Sequence, residues 1–206
     1  MERSWHQGAV ARAVALANTA VVEGWTGDAD AARAAAGEAL GIFQRCGWNA
    51  GALLALEALG NLALAQGDHA AAAAVLADVA AIMTVEIGDP AVAPLVADAV
   101  EALAGCGRLD EAQALLDWIT ARADALDRPE VTAVAERCRG IQMMARGRLA
   151  QSQQAFERAL GAHAQRPVPA QLARTLLHLG RLQRRRRMRR VARENLLKAQ
   201  DIFAGL

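Results

Sequence analysis

A chain of 206 residues that is 54% hydrophobic but only 3% aromatic, with no tyrosine, suits close-packed alanine and leucine helices and argues against an aromatic-cored β-sandwich. The formal net charge of +1 hides a gradient: residues 1–100 hold 4 arginines against 11 carboxylates, and residues 101–206 hold 19 basic against 11 acidic side chains, so one half attracts cations and the other anions. Arg12 interrupts the only candidate for a cleavable leader, and Asn49, Glu57, Asn61 and Gln66 break the most apolar window at helical spacing, which excludes a span there.

In chain order, helical patterns run from about Trp5 to Thr26 and from Ala29 to Arg45, with a turn at residues 24–28. Gly47-Trp48 opens the next pair, roughly Ala50 to Gln66 and His69 to Val85. Trp25 and Trp48, beside turns, are expected to cover corners between helices. Asp89-Pro90 marks the third start, an acceptor before a residue suited to the first helical position, and Pro94 should delay or bend that helix. The third pair ends in a helix from Leu109 to about Leu126. Arg128-Pro129 starts the fourth, which turns at Gly147-Arg148. Arg166-Pro167-Val168-Pro169 excludes helix before it and permits helix after it. The last pair covers about Ala170 to Arg186 and Arg190 to Phe203.

These pairs are copies. Gly27, Gly67, Gly107 and Gly147 recur every 40 residues, and a fifth copy places Arg187 at the same point. Five residues after each turn stand Ala32, Ala72, Ala112, Ser152 and Ala192; nine after it, Ala36, Leu76, Leu116, Phe156 and Leu196. Seven before it stand Ala20, Gly60, Val100, Gly140 and Gly180; eleven before it, Leu16, Leu56, Val96, Glu136 and Leu176. Small residues belong where backbones approach, and large ones fill the layer between pairs. The expected fold is an all-α, right-handed solenoid of five pairs in one domain, with units of about 5–46, 47–87, 88–127, 128–165 and 166–206. Leu56-x2-Leu59-Gly60-x2-Ala63 followed by Ala72-x3-Leu76 keeps the tetratricopeptide order with its tryptophan and tyrosine replaced, so the repeats resemble tetratricopeptides.

Catalysis has little to stand on. The chain contains no phosphate-binding loop, dinucleotide fingerprint, HExxH or GxSxG. His6, His69, His163 and His178 fall in different units without a second ligand at metal spacing, so no metal or cofactor is expected. Asp110, Glu111 and Asp117 are helix-start carboxylates that suit the dipole. Cys46, Cys106 and Cys138, an odd number without a CxxC pair and each placed near a helix end, fit a reduced, cytoplasmic compartment.

Binding has more. If the first helix of each pair lines a concave groove, its inner strip carries Glu57, Asn61, Glu101 and Arg137, extended by Arg174 and Arg181, and runs from carboxylate and amide to guanidinium. A polar ligand, small-molecule inducer or extended peptide bridging these groups is one expectation; their mutual pairing is the other. The loudest feature is the last turn, with Arg184, Arg185, Arg186, Arg187, Arg189 and Arg190 between Arg181 and Arg193. Phosphates reward clustered arginine, but no aromatic residue is interleaved and no helix-turn-helix appears, so a solvated corner or an acidic neighbouring domain is expected in preference to nucleic acid.

Gly107-Arg-Leu-Asp-Glu-Ala through Trp118, Arg137-Cys138-Arg139-Gly140, Ala155-Phe156-Glu157-Arg158-Ala159-Leu160, Ala173-Arg174-Thr175-Leu176-Leu177 and Ala192-Arg193-Glu194 resemble the helical-repeat region of large MalT-like, ATP-binding LuxR-family regulators. The resemblance covers about Cys106 to Leu206. It implies a non-enzymatic sensor and interaction arm, without the family's ATPase and DNA-binding domains, whose partners include neighbouring domains of such a regulator and which is compatible with a homo-oligomer. A scaffold that assembles other proteins is the alternative.

Overall fold

The forty-residue stride is a stride of backbone conformation. The computed structural model describes the backbone of residues 2–86 and 93–206, and the side chains of 8–24, 27–48, 51–80 and 93–206. Among the described residues there are helices and no strand. They fall into two compact units, residues 1–82 and 83–206. The first holds α1 (Glu2–Thr26), α2 (Ala29–Arg45), α3 (Asn49–Ala65) and most of α4 (His69–Glu86). The second holds α5 (Ala93–Gly105), α6 (Leu109–Leu126), α7 (Pro129–Ala145), α8 (Leu149–Gln165), α9 (Pro169–Arg185) and α10 (Arg189–Ala204).

Each pair turns through one left-handed residue. Gly27, Gly67, Gly107 and Gly147 have φ of +94°, +77°, +78° and +76°, and Arg187, at the fifth place, has φ +63°. The next N–H then reaches the carbonyl five residues back: Asp28 to Glu23 at 3.0 Å, Asp68 to Ala63 at 2.9 Å, Arg108 to Leu103 at 2.9 Å, Arg148 to Met143 at 2.8 Å and Met188 to Gln183 at 2.9 Å. That bond satisfies a carbonyl orphaned at the helix end. Asp28 and Asp68 also cap the following helix, accepting from the Ala31 and Ala71 N–H at 3.0 and 2.9 Å. Arg108, Arg148 and Met188 make no side-chain cap.

Within a pair, a small residue meets a large one. A methyl added to Gly140 would lie 2.6 Å from a Phe156 ring carbon, and one added to Gly180 would lie 2.7 Å from Leu196; Gly60 sits equally tightly under Leu76. Ala32, Ala72, Ala112, Ser152 and Ala192 are all buried beside these approaches. Ser152 remains polar there because its Oγ donates to the Gly140 carbonyl at 2.7 Å. Ala13, Ala17, Ala39, Ile42, Phe43 and Ala55 form a core in the first unit, and Ala104, Ile141, Phe156, Leu179 and Leu182 form one in the second.

The connections between pairs follow the same logic. Gly47 and its counterpart Asp127 are left-handed, with φ of +65° and +48°. Proline cannot adopt that conformation at residue 167, and the chain runs extended through Arg166 instead, at φ −144°. Arg128 and Val168 are extended before Pro129 and Pro169, as the residue before proline prefers. Trp48 packs edge-on against Phe43 at 5.2 Å, a corner cover, while the Trp25 side chain lies outside the described residues. Asp89-Pro90 also lies outside them, and Pro94 is the second residue of α5. One placement needs correcting: Cys138 is in the middle of α7 and fully buried, because the helix continues seven residues past it.

A side chain at a left-handed position costs about 1 kcal/mol, partly offset by the greater freedom of an unfolded glycine. Arg187→Gly should therefore raise the urea midpoint by an amount worth about 0.5 kcal/mol or more, and Gly147→Ala should lower it by about 1 kcal/mol.

Candidate functional site

The second unit gathers its charged groups on α5, α7 and α9, the first helices of three successive pairs. Arg174 of α9 reaches past the intervening pair to Asp98 of α5, with Nη1 donating at 2.9 Å and Nη2 standing 2.5 Å from the other oxygen. One turn along both helices, Glu101 accepts from His178 Nε2 at 3.0 Å and Arg181 Nη1 at 3.3 Å, with Arg174 Nη2 at 3.8 Å. Arg137 lies beneath on α7, 2% exposed, and donates to the Gln171 side-chain oxygen at 2.6 Å. Helical spacing produces the register: Asp98 and Glu101 are three residues apart, and Arg174, His178 and Arg181 share one stripe of α9.

Burial decides the protonation states. It pushes the Asp98 carboxyl up from its ordinary value against the pull of Arg174 and Arg137. Burial would raise Glu101 too, but the hydrogen bond from His178 and the charges of Arg174 and Arg181 outweigh it and hold the carboxyl well below the usual range. The buried His178 imidazole is pushed below its ordinary value, so it is neutral and donates Nε2–H to Glu101, and its ring stacks on Phe156 at 6.3 Å. Burial and Arg174 lower Arg137. Arg174 also loses by burial but gains more from Asp98 and Glu101, which raise it. Burial pushes the Cys138 thiol up to about 12, leaving it protonated and inert as a nucleophile. These charges compensate one another and tie three helices together.

Of the strip expected from the sequence, Glu101, Arg137, Arg174 and Arg181 come together through this pairing. Glu101 and Arg137 are buried, whereas half of the Arg181 side chain reaches solvent. Glu57 and Asn61 lie on α3 of the first unit, half-buried, and the Asn61 side-chain oxygen is buried without a hydrogen bond from the described residues. Asp98, Gln171 and His178, members of the cluster, are not in the expected strip. Asp98 was recoverable from the same spacing, being one turn before Glu101.

Arg184, Arg185, Arg186, Arg187, Arg189 and Arg190 are all exposed at the turn from α9 to α10. Arg190 pairs with Glu194 at 2.9 Å, and Arg185 Nη1 stands 3.4 Å from the Met144 carbonyl. Among the described residues the other four have no ion pair. Arg193 and Leu197 share an exposed face of α10 with Arg190. Asp110 and Glu111 open α6, with Glu111 held by Arg108 at 2.6 Å, and Asp117 accepts from Gln113 at 2.7 Å. No helix among the described residues is long and apolar enough to cross a membrane.

Comparison with known proteins agrees with this geometry. A family model described as "Tetratricopeptide repeat" matches residues 63–138. This chain is built of tetratricopeptide-like repeats. Two forms of a Podosopora anserina protein described as a kinesin light chain, with nearly identical TPR-like repeats, superpose at TM-scores of 0.61 and 0.59, each 18% identical over 93% of this chain and 94% of that one. BtubC (BKLC) from P. vanneervenii superposes at 0.57, 18% identical over 98% of this chain and 89% of that one. At such identity the likeness shows the fold alone. No curated protein matches. The fold is thus the expected all-α, tetratricopeptide-like class, a scaffold suited to protein–protein interaction, while the link to LuxR-family regulators rests on the sequence resemblance alone.

Removing Glu101 strands the buried His178 N–H and takes a counter-charge from Arg174, so Glu101→Ala should lower stability by on the order of 3 kcal/mol. Arg181→Ala, at the exposed end, should cost about 1 kcal/mol or less in the same urea titration.

Stability also depends on pH through a buried histidine. Thr175 Oγ1 donates to the Gln171 carbonyl at 3.0 Å, so it accepts from His163 Nε2 at 3.1 Å. Burial, helped by Arg137, pushes His163 from 6.5 down to about 4. Unfolded chains therefore take up this proton first, so stability is full above pH 6.5 and falls as pH drops toward 4. His178 adds to the same loss. His163→Gln, which can still donate to Thr175, should make the melting temperature fall less steeply across that window.

Proposed function

We propose that the chain is a non-enzymatic interaction scaffold whose last helix pair takes an acidic segment of a partner protein. The observation carrying this is the set of exposed arginines at the turn from α9 to α10, from Arg184 to Arg190, most of them without a counter-ion among the described residues. Burying such a cluster without carboxylates would be prohibitive, so it is either solvated or met by opposite charge. Leu197, 46% exposed on the face of α10 that carries Arg190 and Arg193, gives that surface an apolar contact. Arg181, one turn before Arg184, extends it toward the rim of the buried cluster. Within the strip of Glu57, Asn61, Glu101, Arg137, Arg174 and Arg181, this reading makes Arg181 the residue that reaches the ligand and Glu101, Arg137 and Arg174 its support.

A narrower reading, the sensor arm of a MalT-like LuxR-family regulator responding to an inducer, is supported by the order of motifs between Cys106 and Leu206. An upstream phosphate-binding loop and a downstream helix-turn-helix in the same reading frame would support it further.

A fluorescent oligoglutamate peptide should bind in anisotropy titrations, weakening steeply from low to moderate salt. Combined Arg184→Ser, Arg186→Ser and Arg189→Ser should weaken it by about tenfold, about 1.4 kcal/mol, with the melting temperature unchanged. Equal binding by that variant, or tighter binding of duplex DNA than of the peptide, would overturn the acidic-partner reading.

A further inference from the structure

The fourth pair breaks the repeat at two related places and meets them from a third that is usually charged. Eleven residues before the turn, the other copies carry Leu16, Leu56, Val96 and Leu176, and the fourth carries Glu136. Eight before it, the others carry Thr19, Leu59, Ala99 and Leu179, and the fourth carries Arg139. Eleven after it, Glu38, Asp78, Trp118 and Lys198 correspond to Arg158.

The structure brings the three together. Glu136 is 8% exposed; Arg139 Nη1 donates to one of its oxygens, and Arg158 Nε and Nη2 stand 2.9 and 2.8 Å from the other. Arg139 is held again by Thr120 of α6 at 3.4 Å. One carboxylate thus orients two guanidinium groups and cancels only one of their charges. Arg148, exposed and without an ion pair among the described residues, adds a second uncancelled charge. Arg139, Arg148 and Arg158 line a concavity of about 260 Å³ with Met143, Gln151 and Gln154. It lies on the face of α7 opposite Arg137, within the second unit.

Stability does not explain the departure. A buried ionic group in an apolar layer is commonly no better, and often worse, than the leucine it replaces. The gain is a fork of fixed donors with two spare positive charges and two side-chain amides, the recognition chemistry of a dianionic oxyanion. The volume falls below the roughly 300–1,000 Å³ of drug-sized ligand sites, which suits a small ligand. We propose that this pocket binds a phosphomonoester, with the phosphate held by Arg139, Arg148 and Arg158 and Glu136 acting as the positioning residue. The site is separate from the arginine corner of the last pair.

Calorimetric titration of the intact chain with O-phosphoserine and with inorganic phosphate tests it. Both should bind saturably. Arg148→Ala should weaken both by about tenfold without moving the melting temperature. The double variant Glu136→Leu with Arg139→Leu, which restores the repeat pattern, should abolish binding while remaining helical by circular dichroism. Arg184→Ser with Arg186→Ser should leave binding intact. Absence of saturable binding, or binding that survives in Arg148→Ala and is lost with the corner arginines, overturns the assignment. Binding of inorganic phosphate alone overturns the phosphomonoester.

Discussion

The structure depends on the two helices of a pair packing closely, and in three of the five pairs they come so near that one residue must have no side chain. Ala20 and Val100 hold that place in the other two. At Gly60, Gly140 and Gly180 the opposing leucine or phenylalanine occupies the volume a methyl group would need. Cores at protein packing density give little room for such a group, so in these three pairs the glycine and its bulky partner form one unit. The left-handed residue at the turn fixes the angle at which the second helix returns, and the Ala or Ser five residues later keeps the contact tight. Satisfying these conditions once yields a hairpin with an exposed apolar face; satisfying them repeatedly gives each face a neighbour within its own unit.

Against this apolar background the second unit keeps its buried carboxylates, each with its polar partners, in two groups on opposite faces of α7. Asp98, Glu101, Arg137, Arg174 and His178 lie on the α5 and α9 side, and Glu136 with Arg139 and Arg158 on the α6 and α8 side. Most polar ends in either group have counterparts at hydrogen-bonding distance. Hydrophobic contacts tolerate a sliding register, whereas paired ions three or four residues apart do not. The charges therefore specify how the three first helices align, at some expense in stability relative to leucine.

Much of the fold could be read from spacing, because a repeat states each structural requirement several times. The place of Arg187 is an example: no local rule puts arginine in a left-handed turn, yet four glycines at the same stride do, and φ of +63° follows. The Gly140 and Phe156 contact was likewise written in the small and large positions. What spacing could not supply was which polar residues on the inner strip would meet one another. Arg174 and Asp98 are 76 residues apart, and their pairing depends on how tightly three successive pairs curl, which no single helix encodes. The break at Glu136 stood in plain view among Leu16, Leu56, Val96 and Leu176, but its arginine partners emerge only when α7 and α8 are folded together. Cys138 shows the same limit, since its fully buried place depends on the cluster around Arg137.

In an ideal stack of hairpins each member touches only its neighbours, so the outermost one can peel away at little expense to the rest. The bridge from Arg174 and His178 back to Asp98 and Glu101 removes that freedom. Peeling off the hairpin of α9 and α10 would strand carboxylates in the interior of a hairpin two places earlier, so that hairpin comes apart together with the body of its unit. The hairpin that presents the most charged surface is thereby held rigidly to the body of its unit.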